Sequence, residues 1–263
     1  MPMLVEPYAA PHLTSRFWPV VMRNLLVWKK LAGPSVLGNI AEPLITLVAF
    51  GYGVGSLIGT VADMPYVQYL ASGSVAASCA LAATFEGLYS AYSRMAVQKT
   101  WDSILNAPVA LDDIVFAEML WAAIKALFSC AAILVVIFLL GISRSPMMLL
   151  ALPVLGLAGI TFASLALVFN ALAKGYDFFT YYFTLVVTPM TFLSGVYFPI
   201  AQMPPWLQGI AQVLPLKAAV DLVRPLVLGN IPADPLGPLL LLTGYACSGY
   251  YLALVLTRRR FFG

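Results

Sequence analysis

The ionisable residues set inside apolar sequence are the first candidates for chemistry. Glu42 precedes Pro43 within one apolar run, and Glu86 lies near the end of another. A carboxylate at mid-bilayer depth costs about 3 kcal/mol on insertion scales, so it faces a bundle interior or a cavity. Pro43 also frees a backbone carbonyl and bends or breaks a helix. The competing reading puts Glu42 about two turns from the membrane surface, within reach of water, and Glu86 fits that reading better. Lys217, Asp221 and Arg224 stand at i, i+4 and i+7, so on one helix face Asp221 can pair with either cation. His12 is the single histidine and lies in a proline-rich stretch. Cys79, Cys130 and Cys247 sit in three separate apolar runs without metal-ligand spacing. No His-Glu-x-x-His, Gly-x-Ser-x-Gly or Gly-x-x-x-x-Gly-Lys-Ser/Thr pattern occurs. Zinc hydrolysis, serine hydrolysis and a phosphate-binding loop therefore lack their residues, and the residues predict no enzyme.

A second kind of chemistry is docking. The stretch QKTWDSILNAPVALDD, residues 98–113, is the longest polar interruption in the first half of the chain. It opens as a short helix with Trp101, Ile104 and Leu105 on one side and Lys99 and Asp102 elsewhere. Pro108 stops it, and Asp112 and Asp113 stand as N-cap and first-turn acids of the next helix. An exposed Trp, Ile and Leu on a loop need a surface to meet. Two readings follow: a turn resting on lipid headgroups, or a coupling element that inserts into a soluble partner.

The elements that must position these residues are membrane helices. The chain of 263 residues is 62% hydrophobic and only 10% charged, against roughly 25% charged in soluble domains. Apolar runs of about 20 residues recur, each long enough to cross a bilayer. We read an all-α membrane protein with six spans: residues 35–59, 66–89, 116–142, 147–172, 178–198 and 236–256. Residues 1–13 carry three prolines and form neither a signal peptide nor a span. Residues 14–32 alternate apolar and basic positions at helical spacing, which predicts an amphipathic helix in the membrane interface, ended by Gly33-Pro34. All but Arg144, Lys217 and Arg224 of the 14 Lys and Arg fall on the side of the termini, which predicts cytoplasmic termini and a cytoplasmic 98–113 loop. Lys125 lies a turn inside the third span and can snorkel outward. Residues 199–235, broken by prolines, read as a short re-entrant or interfacial helical pair over the outer mouth. The whole chain reads as a single membrane domain. Its cations flank spans rather than forming a patch, so nucleic acid is not an expected partner.

Two groups of residues are candidates for a pathway. Gly73, Ser74, Ala77 and Ser78 form a small-residue series in the second span, suited to close helix packing or to leaving room for a ligand. Phe192, Tyr197 and Phe198 close the fifth span, as an aromatic belt or as contacts to an amphiphilic substrate. Pro189 should kink that span.

Three stretches together resemble the membrane subunits of type-two ATP-binding-cassette exporters, a class with polysaccharide, drug and nodulation-factor exporter permeases. They are Glu42-Pro43 with the Gly-rich run after it, residues 84–126, and residues 192–229. Within the class the likeness is strongest to nodulation-factor exporter permeases, and drug exporters share much of the pattern. The resemblance implies a permease homodimer in a bacterial inner membrane, each copy docking one separate ATPase subunit that carries the ATP and Mg. Residues 14–32 would be the connecting helix. Residues 98–107 would be the coupling helix, with Lys99, Trp101, Asp102, Ile104 and Leu105 seated in the ATPase, and residues 199–229 would close the exit. The pathway would run at the dimer interface, lined by the first, second and fifth spans, with Glu42 at the class's acidic position. The implied cargo is an amphiphile, a lipo-oligosaccharide or other glycolipid. A hydrophobic drug is the alternative, and a membrane scaffold without a transport cycle is a third reading.

Overall fold

The computed structural model describes residues 7–30 and 32–262, with the side chains of residues 35, 36, 39, 40 and 42 outside the description. Helix α1 (Phe17–Lys29) comes first, then α2 (Ala32–Thr46), which runs through a π-helical segment (Leu47–Val54) into α3 (Gly55–Ile58). Gly33 and Pro34 occupy the first turn of α2, where a proline lacks nothing, because first-turn amides have no helical acceptor. They start the second helix rather than end the first. Pro43 sits inside α2 and precedes the π segment, the wider winding expected where a backbone bond has been removed.

A two-residue hairpin, β1 (Thr60–Val61) and β2 (Met64–Pro65), turns on Ala62 and Asp63, both at positive φ. Helix α4 (Tyr66–Phe85) continues through π segments Glu86–Ser90 and Ser93–Val97. Next come the short α5 (Thr100–Leu105) and the long α6 (Leu111–Leu139). A 3-10 turn (Pro146–Leu150) leads into α7 (Ala151–Leu172). Helices α8 (Asp177–Tyr182) and α9 (Thr188–Leu193) are joined by a π segment (Phe183–Val187). This fifth helical run stops at Leu193, sooner than its sequence suggested, because Gly195 turns the chain at φ 74°. A 3-10 turn (Ile200–Gln202), α10 (Pro205–Gln212) and α11 (Pro215–Leu228) follow, and α12 (Leu236–Phe262) ends the described chain.

Among the described residues, three helical stretches are long and apolar enough to cross a membrane: Leu111–Leu139, Pro146–Leu172 and Leu236–Phe262. They form the frame. Helix α7 lies against α6, α4, α11 and α12, with Leu155, Ala158, Phe162 and Ala163 fully buried. Small residues allow this: a Cβ on Gly159 would stand 3.1 Å from the Ala123 Cα, and one on Gly249 would stand 2.6 Å from the Ser164 hydroxyl. Helix α1 lies along α6, and α11 packs across α4, α7 and α12 at the end away from the termini.

Candidate functional site

The residues before α1 from Pro7 on, the end of α12, α1, α5 and the start of α6 meet at one end of the bundle. Lys99 opens α5 in the left-handed conformation, φ 51°, which turns the chain out of the long second helix. Trp101 then points inward. It is 1% exposed, its indole Nε1 donates to Glu118 Oε1 at 3.1 Å, and its ring stacks on Phe261. Ile104 is half-buried against the Val20, Val21 and Ala117 cluster, and Leu105 is half-buried against the main core. The expected exposed Trp, Ile and Leu face is therefore corrected: the apolar side of α5 holds the helix to its own protein. Its exposed edge is polar, with Lys99, Asp102, Ser103 and Asn106.

Behind Trp101 lies a buried ion network. Arg94 forks onto Glu118, with Nε at 2.9 Å from Oε1 and Nη2 on Oε2, and Nη2 also reaches Glu86 Oε1 at 2.9 Å. Lys125 Nζ meets Glu86 Oε2 at 2.7 Å, and Trp121 Nε1 donates to Glu86 Oε1 at 2.9 Å. Burial alone would lower the Arg94 pKa, but Glu118 and Glu86 outweigh it and hold the guanidinium above its usual value. Glu86 is thus buried and paired rather than hydrated, and Lys125 turns inward rather than snorkelling. Sequence reasoning missed Glu118, Trp121 and Arg94. The signal was present: Glu118, Trp121 and Lys125 stand at i, i+3 and i+7, one polar stripe on an apolar helix.

A second network ties the termini to α6. Arg258, 2% exposed, pairs with Asp112 and donates to the carbonyls of Pro7, Ala9 and Ala10. Asp112 also accepts from the His12 amide at 2.8 Å, and Asp113 accepts from the Thr14 amide and hydroxyl at 2.7 Å. Arg16 donates to the Pro108 carbonyl. The helix is capped by Ala110, not by an aspartate; both acids lie in the first turn, where the dipole favours them. Arg260 covers the other helix end here, donating to the carbonyls of Asn170, Ala171 and Ala173.

The two groups of pathway candidates separate. Gly73, Ser74, Ala77 and Ser78 are buried within the chain, and Ser74 borders a small cavity beside Pro43 and Leu47. A Cβ on Gly73 would stand 2.6 Å from Arg224 Nη2. Phe192 and Phe198 are exposed and Tyr197 half-buried; with Phe50 and Tyr66 they line an apolar cavity of about 450 Å³ at the far end. The Glu42 side chain lies outside the described residues.

Comparison with known proteins agrees with this architecture. The family model described as ABC-2 type transporter matches residues 15–228. Nodulation protein J of Rhizobium leguminosarum bv. trifolii is 45% identical over 238 residues, covering 90% of this chain and 91% of the relative. Nodulation protein J of Sinorhizobium fredii strain NGR234 is 42% identical over 238 residues with the same coverage. The inner membrane transport permease YadH of Escherichia coli K12 is 24% identical over 183 residues, 68% of this chain and 71% of the relative.

Proposed function

Since this chain belongs to the ABC-2 type transporter family, as a membrane-embedded permease subunit whose ATPase is a separate chain, we propose that it exports an amphiphile, a lipo-oligosaccharide, from the cytoplasmic side of a bacterial inner membrane. The name of the nodulation protein J relatives supports that cargo. In this reading six helical runs cross the membrane, the termini are cytoplasmic, and two permeases pair with two ATPase subunits, which bind the ATP and Mg. Residues 14–32 lie in the interface and 199–235 cover the exit. Glu42 and the Phe192, Tyr197 and Phe198 cavity serve the pathway, and the small residues Gly73, Ser74, Ala77 and Ser78 let the second helix pack beside it.

The observation that carries the coupling half of the reading is the fastening of α5. A helix of 6 residues has little stability of its own. Here Trp101 locks it to Glu118, and Arg94 joins Glu118 to Glu86 in the second helical run. A push on the polar edge at Lys99, Asp102 and Asn106 would therefore reach α4 and α6 as a rigid load. Within this reading Trp101, Ile104 and Leu105 transmit the load rather than touch the ATPase.

The test is co-purification of the tagged permease with its ATPase in mild detergent. Lys99→Glu with Asp102→Lys should cut ATPase recovery about tenfold, the loss of one or two charge-assisted contacts, and leave the permease's thermal unfolding unchanged. Full ATPase recovery would place the docking surface elsewhere. Export is read separately, as ATP-dependent uptake of a labelled lipo-oligosaccharide into inverted vesicles; a drug taken up in its place would replace the cargo.

A further inference from the structure

The reading above leaves unused a cavity of about 420 Å³ between α1, the end of the second helical run and α6. Arg23, Arg94 and Lys125 line it, with Glu86. Arg94 is matched by Glu118 behind it, and Lys125 by Glu86. Arg23 meets no carboxylate among the described residues and donates only sideways, Nη1 to Asn24 Oδ1 at 3.0 Å. Asn24 lines the same cavity, is 3% exposed, and its Nδ2 meets no acceptor among the described residues. A buried amide donor without an acceptor is costly, so such groups mark places where a partner belongs.

The charge and the missing acceptor both ask for an anion with several oxygens. The walls narrow the choice further. Trp28, stacked on Phe128 at 5.3 Å, and Tyr89, stacked on Tyr176 at 6.0 Å, give the cavity an aromatic side. Aromatic rings beside cations on an amphipathic helix are the furniture of a lipid headgroup zone. A bare inorganic anion would leave that apolar surface uncovered.

We propose that this cavity binds the phosphate headgroup of an anionic amphiphile, with the Arg23 guanidinium and the Asn24 amide as its donors and Lys125 as the second cation. An ammonium has three donors, and Lys125 makes its ion pair to Glu86 with one of them. The inference rests on α1 lying in the membrane interface; it does not rest on the cargo or on the docking surface proposed above.

The experiment uses the full-length permease, delipidated in detergent and titrated with phosphatidylglycerol, phosphatidylcholine or inorganic phosphate under native mass spectrometry. Phosphatidylglycerol should be retained over phosphatidylcholine. Arg23→Gln should weaken its retention about tenfold, one charge-assisted hydrogen bond. Asn24→Asp, which swaps a donor for a like charge at constant size, should weaken it at least as much. Lys30→Gln, an exposed cation outside the cavity, should leave it unchanged. Displacement of the lipid by inorganic phosphate makes free phosphate a ligand of the same donors; no displacement assigns them to the bilayer lipid. Equal retention of the two lipids, or equal losses in Arg23→Gln and Lys30→Gln, overturns the proposal by reducing it to general interfacial attraction. ATPase co-purification stays intact in either case if the docking reading is right.

Discussion

Two half-buried arginines, at opposite ends of the bundle, are held in different ways. At the termini end, Arg94 faces the carboxylates of Glu118 and Glu86. At the far end, Arg224 meets only neutral groups close by: Nη2 donates to the Gly195 carbonyl at 2.7 Å, Nε reaches the Ser72 hydroxyl at 3.3 Å, and the guanidinium lies 3.8 Å over the Tyr69 ring. The consequence appears in their ionisation. Burial pushes the Arg224 pKa below its ordinary value despite the opposing pull of Tyr69 and Asp221, whereas the carboxylates push that of Arg94 above it. Both stay charged at any ordinary pH, so the contrast has to be broken by substitution rather than by titration. The termini end is a cross-link between helices made of charge. The far end is a cradle made of dipoles and an aromatic face, shaped around one side chain.

The largest effect should come from the charged end. Glu118→Leu removes the fork partner of Arg94 and the acceptor of Trp101 together. Arg94 then keeps only Glu86, which it shares with Lys125, and the buried Trp101 indole loses its acceptor; each such loss costs about 1–3 kcal/mol. Thermal unfolding of the purified permease should fall accordingly, and α5 should become sensitive to protease. Glu118→Gln keeps the Trp101 acceptor and loses only the charge, so it should unfold between wild type and Glu118→Leu. Equal behaviour of the Gln and Leu variants would mean that shape, not charge, fastens α5.

How much of this was legible in the sequence follows from the range of each interaction. The helical runs were legible because apolar length is local information. The π segments blurred their ends: Pro43 and Pro189 announce a fault in a helix, but whether it becomes a kink or a wider turn depends on the neighbours. Trp101 was read as outward because its partner, Glu118, is on another helix and nothing local points to it. The sequence places Asp112 and Asp113 at the helix start, as N-cap and first-turn acids, but not their partners: Arg258 and Thr14 are about 100 residues or more distant in the chain. The small-residue series around Gly73 is visible in the sequence, yet the group that meets Gly73, Arg224, is 151 positions away and belongs to the segment whose path the sequence describes least.

Gly73 gives the intermediate prediction. In Gly73→Ala the new Cβ stands 2.6 Å from Arg224 Nη2 and 3.1 Å from the Val196 carbonyl oxygen. The guanidinium can swing away, but the Val196 backbone cannot do so cheaply, so the expected cost is about 1–3 kcal/mol. Adding Arg224→Ala removes one of the two clashes. The pair should therefore be clearly non-additive in thermal unfolding, with the double variant less damaged than the sum. Strict additivity would mean that Arg224 does not fill the space above Gly73.

The smallest effect tests whether the cradle owns its arginine. By spacing alone, Asp221 could pair with Lys217 or Arg224. It takes Lys217 at 2.6 Å, an i,i+4 pair whose carboxylate is 38% exposed. Such a pair contributes about 0.5 kcal/mol or less after solvent screening, so Lys217→Ala should barely move the unfolding temperature. The informative quantity is the coupling between Lys217→Ala and Arg224→Ala. If Arg224 is committed to Gly195 and Tyr69, Asp221 cannot recruit it when Lys217 is lost, and the two substitutions should add to within about 0.5 kcal/mol. A larger coupling would show the two cations competing for one carboxylate. Arg224 would then be a second ion-paired arginine like Arg94, and the difference between the two ends of the bundle would be one of degree.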